Sequence, residues 1–245
     1  MTTELNLTRL GHFIKRQLYM NLSAMWVAIA AVTGILLVVS GFVAYFNPDD
    51  VRNLIPFYLV VFFLGGYIFT SMIFNEMHSP QKSYAFLTLP VSTAEKLVGA
   101  WVIVAPVYLI TAVASMFILG AASSWVAGEP VALPGLLGKN AFKILGIFLV
   151  CQTIFFLGAT AFKGNNFLKT LLALFVFFTL WAMYTGGVGY ILFGANGSGV
   201  NHGFSHEFKN LMEAFVKHIL PFLFWFVLPL YLLVVSYFKL KERQV

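Results

Sequence analysis

The sequence predicts an all-α integral membrane protein. It reads as an N-terminal amphipathic interface helix, six membrane-spanning helices, a short cytoplasmic helix between spans two and three, and a small outer helical element between spans five and six. Three observations predict this class. Of 245 residues, 60% are hydrophobic and only 10% are charged, too little charge to cover a soluble domain of this size. Six apolar runs, at about 25–46, 54–74, 97–119, 144–162, 171–193 and 219–238, each approach the ~20 residues that cross ~30 Å of hydrocarbon. The net charge of +6 is scattered at the ends of these runs, where basic residues set topology, and forms no patch suited to nucleic acid.

Residues 5–22 place Leu7, Leu10, Ile14, Leu18 and Leu22 at steps of three and four, with Arg9, His12, Lys15 and Arg16 on the remaining turns. That spacing gives a basic amphipathic helix. It suits either an anionic membrane surface or the protein's own cytoplasmic face. The N-terminus is polar for too long to be a cleaved signal, and the first apolar run exceeds a signal core, so it reads as a retained helix. Met25 to Phe46 carries no charge, and Asn47-Pro48-Asp49-Asp50 makes a polar turn after it. Pro106, Pro221 and Pro229 are expected to kink spans three and six. Gly65-Gly66 and Gly186-Gly187 serve either close helix approach or flexibility. Between spans five and six, a Gly-Ala-Asn-Gly-Ser-Gly run precedes Phe208, Leu211, Met212, Phe215 and Ile219, a short amphipathic pattern feeding the last span.

Orientation follows from Lys and Arg. With both termini on one side, that side holds Arg9, Lys15, Arg16, Lys82, Lys96, Lys163, Lys169, Lys239, Lys241 and Arg243. The other holds Arg52, Lys139, Lys143, Lys209 and Lys217. The excess puts both termini in the cytoplasm.

Several chemistries find no support. Cys151 is the single cysteine, so no disulfide or thiolate cluster forms within one chain. His206-Glu207 lacks the second histidine of a zinc-protease helix, and His202 and His206 follow a glycine-rich run. Gly135-Leu-Leu-Gly138-Lys139 has the wrong spacing for a phosphate loop. The spans hold no carboxylate and no histidine, the groups an ion-coupled carrier needs. Gln152, Thr153, Thr70, Ser71, Thr111, Ser115, Thr179 and Tyr184 are the polar residues at depth. No cofactor or metal is expected in this chain.

The stretch Glu76 to Lys96 is the long polar interruption of the first half. Ser79-Pro80 is a helix-start signal, and a helix of about two turns would present Tyr84, Phe86 and Leu87 before Pro90 ends it. Ser92-Thr93-Ala94-Glu95 is a capping box that starts the next helix. A rigid loop with exposed aromatics suits partner docking, the alternative being an interfacial helix without a partner.

At these residues the chain resembles a family. Leu87-Thr88-Leu89-Pro90-Val91-Ser92-Thr93-Ala94-Glu95-Lys96, preceded by Glu76 and His78, is similar to the first cytoplasmic loop of bacterial type-2 ABC exporter permeases, Bacteroidetes-like ones above all. The resemblance implies a coupling helix that docks on a separate ATP-binding subunit, which would hold the ATP and magnesium. It places Glu76, His78, Lys82, Tyr84, Phe86 and Leu87 in or near that contact, with Ser79, Pro80, Pro90, Ser92 and Glu95 shaping the loop. It further implies a second six-span subunit, homo- or heterodimeric, and the bacterial inner membrane. The expected function is therefore the permease subunit of an ATP-driven exporter. An immunity or assembly factor that binds a cytosolic partner is the alternative, and an ion-coupled carrier a third.

Overall fold

The computed structural model describes residues 6–128, 141–193, 210, 211 and 213–243, and among them every regular element is helical. Among these residues six helices are long and apolar enough to cross a membrane. The chain runs through α1 (Leu7–Phe46), a 3-10 turn (Pro48–Asn53), α2 (Leu54–Met72), α3 (Asn75–His78) and α4 (Ser83–Leu87). It continues through α5 (Thr93–Ala127), α6 (Ala141–Ala161), α7 (Asn166–Phe193) and α8 (Phe215–Glu242). The expected outer features on Gly135, Gly138, Lys139, His202, His206, Glu207, Phe208, Lys209 and Met212 lie outside the described residues.

Strict up-and-down order brings the start of α1, the α2–α5 loop, the α6–α7 turn and the end of α8 to one end of the bundle. This is the loop end. It is built on Phe13, Phe74, Met77, Phe86, Phe156 and Leu240, all buried. A second cluster further along joins Leu36, Leu54, Tyr58, Phe62, Met116 and Leu119.

The interface helix and first span are not separate elements. They form one helix of 40 residues, about 60 Å long, because residues 20–25 contain no proline or glycine to break it. Asn6 caps it, its side chain accepting from the Thr8 and Arg9 amides.

Each helix-interior proline is accompanied by a widened π turn. Pro106 lies inside Ile103–Val107, and turns at Phe215–Ile219 and Leu223–Val227 end two residues before Pro221 and Pro229. A proline offers no N–H and crowds the carbonyl one turn back, so the ladder reopens there. Gln152 compensates one such disturbance: its amide donates to the Val104 carbonyl and, at 3.0 Å, to Thr70 Oγ1.

The two glycine pairs differ in role. A Cβ on Gly66 would come within 2.7 Å of Phe148 and of Tyr108, whereas Gly186 and Gly187 face open space. Gly66 permits close packing of α2 on α5 and α6. Gly158 does the same for α6 and α7, since a side chain there would collide with Thr170. The turn between these helices is short, with Gly164 and Asn165 both at positive φ.

Replacing Gly158 by leucine is expected to force α6 and α7 apart and to cost about 1–3 kcal/mol. Thermal unfolding in detergent measures this, and an unchanged midpoint would show that the two helices do not meet there.

Candidate functional site

The Glu76–Lys96 loop is not a single two-turn helix. Ser79 closes α3 by donating its amide to Asn75 O, then accepts from the Lys82 and Ser83 amides through its own carbonyl. The expected helix start at Ser79-Pro80 is therefore a turn, and α4 begins only at Ser83, with no side-chain cap from Lys82. Proline at residue 80 fits this turn as well as a helix start, because its fixed φ serves both.

With only five residues, α4 presents one face inward. Phe86 is fully buried, meeting Phe13 and Phe74 edge-on at ring separations of 6.3 and 6.4 Å. The expectation that Phe86 points outward is corrected: the shorter helix turns it into the core. Leu87 is half-buried against the same cluster. What α4 shows to solvent is Tyr84, 78% exposed, flanked by Lys82, Ala85 and Thr88, with Pro90 beyond.

The second half of the loop is fixed by Glu95. Ser92 Oγ accepts from the Glu95 amide at 3.2 Å, and Glu95 Oε2 accepts from the Ser92 amide at 2.7 Å, a complete capping box. The other oxygen, Oε1, accepts from the Asn6 amide at 2.7 Å and lies 3.3 Å from the Arg9 guanidinium. Glu95 is wholly buried. One carboxylate thus caps α5 and holds the start of α1. Lys96, also buried, donates to Leu87 O at 3.2 Å and lies 5.3 Å from the centre of the Phe86 ring. Glu95 and Lys96 together fix the second half of the loop and tie it to α4 and α1.

The first half is tied down separately. Arg16 on α1 pairs with Glu76 at 3.3 Å. His78 bridges to the far side of the bundle: Nε2 lies 2.8 Å from Ala159 O. Since a carbonyl only accepts, Nε2 carries the proton and Nδ1 is left to accept. It accepts from Arg243, which also donates to Ala161 O at 2.9 Å. Burial lowers the His78 pKa below the ordinary histidine value; the Ala159 hydrogen bond opposes this, and the charges of Arg243, Lys163 and Lys169 add to the lowering.

The polar side chains at depth make no comparable site. Thr70, Ser71, Thr111, Ser115, Thr153 and Thr179 each donate to a carbonyl of their own helix. Sequence reasoning missed Asn6, Arg9, Arg16 and Arg243 as loop partners. Asn6 directly before an apolar-periodic run was a readable cap signal; the other three carried none beyond charge.

Protonation of His78 would add an N–H facing the Arg243 donors. Because its folded pKa is lowered, the folded state binds fewer protons, so its stabilising contribution is present above the unfolded value and is lost as pH falls from that value through the lowered folded one. The unfolding midpoint should hold above the ordinary value of ~6.5 and drop as pH falls below it. His78→Gln should reduce that drop; an equal drop in the variant would assign it elsewhere.

No protein-family model, no curated protein and no solved structure matches this chain.

Proposed function

We propose that this chain is the permease subunit of an ATP-driven exporter, forming half of a translocation path and driven through the Glu76–Lys96 loop by a separate ATP-binding subunit. The observation that carries the proposal is the construction of the loop. Its inner face is anchored by Phe86 and Lys96, and its outer face offers Tyr84 to solvent. An exposed tyrosine on a rigid support is the kind of side chain that anchors a protein interface.

The wiring suits force transmission. Glu95 joins α5 to α1, Arg16–Glu76 joins α1 to α3, and His78 joins α3 to α6 and to the end of α8. A push on α4 would therefore reach four spanning helices together. ATP and magnesium belong to the partner in this reading, which has both termini in the cytoplasm of a bacterial inner membrane. A second six-span subunit completes the path. Most of α7 is exposed, including Phe175, Phe178, Trp181 and Tyr184, and would face that subunit or lipid.

Co-expression with an ATP-binding subunit should give a complex with stimulated ATPase activity. Tyr84→Asp should weaken the association by roughly thirtyfold, the effect of a ~2 kcal/mol interface anchor, and leave the unfolding midpoint unchanged. Phe86→Asp should instead lower that midpoint, because it buries an unpaired charge. A Tyr84→Asp complex of unaltered affinity would place the docking surface elsewhere, and failure to co-purify with any such subunit would contradict the proposal.

A further inference from the structure

Two hollows run along the side of the bundle, with α1 on one wall and α2 and α5 on the other. The inner one, about 170 Å³, reaches Val32, Val61, Thr111 and Ser115 at spanning depth. The outer one, about 420 Å³, opens among Gln17, Asn75, Glu76, Ser79 and Lys82 at the loop end. Met25, Ala28, Phe69 and Ile103 line both. They are one slot. Along α1 it extends from Gln17 to Thr33, about 24 Å at ~1.5 Å per residue.

The back of the slot is fixed. Tyr108 donates to the Phe62 carbonyl at 2.6 Å, which pins α2 to α5 just beyond the π turn at Ile103–Val107. A Cβ on Gly65 would already approach the Tyr108 hydroxyl to 3.0 Å, so the bare glycine keeps the wall shallow.

The two ends differ in chemistry. In the inner half, Thr33 donates to Ile29 O at 2.5 Å, Thr111 to Val107 O at 2.9 Å and Ser115 to Thr111 O at 2.9 Å. Every hydroxyl donor there is engaged, the threonines and serine by their own helices and Tyr108 by α2, so the walls present little besides methyl, methylene and ring surface. Such a space excludes ions and is poor for water. It is also poor for a peptide, whose backbone groups would go unpaired. The mouth is polar and carries a positive surplus. Glu76 is matched by Arg16 at 3.3 Å, while Lys82, which lines the same mouth as Asn75 and Ser79, stands exposed.

A dry channel of this length that ends in a cationic mouth at the end of a spanning helix fits one class of molecule. We infer that the slot holds one acyl chain of an anionic phospholipid, with its phosphate at the Lys82 mouth. Lys82 then neutralises the phosphate by a charge-assisted hydrogen bond, and the chain replaces lipid contacts that α1 and α2 cannot give each other. The binding does not depend on whether this protein transports lipid.

Native mass spectrometry tests this on the full chain purified in detergent, with phosphatidylglycerol and phosphatidylcholine added in equal amounts. One phosphatidylglycerol should be retained. Lys82→Gln should cut its preference over phosphatidylcholine roughly fivefold, the effect of one basic residue at an anionic surface. Ala28→Phe, on an exposed position at the junction of the two hollows, should abolish retention, whereas Ala182→Phe on α7 should not. As a second readout on unaltered protein, phosphatidylglycerol with a photoreactive acyl terminus should label α2 near Val61 and α5 near Thr111. Equal retention of both lipids, retention unaffected by Ala28→Phe, or labelling spread along α7 would each overturn the inference in favour of ordinary surrounding lipid.

Discussion

The loop end of this protein depends on where one carboxylate sits. Glu95 is buried, and removing an ion of that size from water costs several kcal/mol even after relaxation. The cost is met by the Ser92 and Asn6 amides at 2.7 Å and the Arg9 guanidinium at 3.3 Å. Two of these donors belong to the start of α1, 89 and 86 residues away in sequence. A capping box normally stabilises the helix it begins by about 1 kcal/mol. Here the same group also fixes where a second helix starts. Losing it would leave the Ser92 and Asn6 amides without their acceptor, a defect of about 1–3 kcal/mol each.

Away from that end the bundle follows a different economy. Lipid offers nothing to backbone or hydroxyl groups, so each must be satisfied locally. The threonines and serines of the spans fold back onto their own helices, and Gln152 reaches across to the carbonyl near the Pro106 turn. Among the described residues the spans carry three π turns, and one of them borders the slot between α1 and α2. Charged side chains gather instead at the loop end, where Arg16 pairs with Glu76 and Arg243 meets His78.

Much of this was legible in the sequence, for identifiable reasons. Six spans follow from run length and composition alone, because the bilayer imposes one dimension on all of them. Ser92 and Glu95 were readable as a capping box because the interaction is local, three residues apart. Phe86 was not. Whether an aromatic in a polar loop points in or out depends on where the helix starts, and Ser79-Pro80 serves a turn as well as a helix. The boundary between interface helix and first span was drawn at a change in composition, which a continuous helix simply passes through. The ties from Glu95 to Asn6 and from His78 to Arg243 span 89 and 165 residues, and no periodicity encodes such distances.

The central claim is that Glu95 holds the loop, α1 and α5 as one unit. Hydrogen exchange on Glu95→Gln tests it most directly, since glutamine keeps the shape and removes the charge. The account predicts faster exchange at the start of α1 and through the α3–α4 loop together, with α6 unchanged. Faster exchange confined to the first turn of α5 would contradict it, and would reduce Glu95 to an ordinary helix cap.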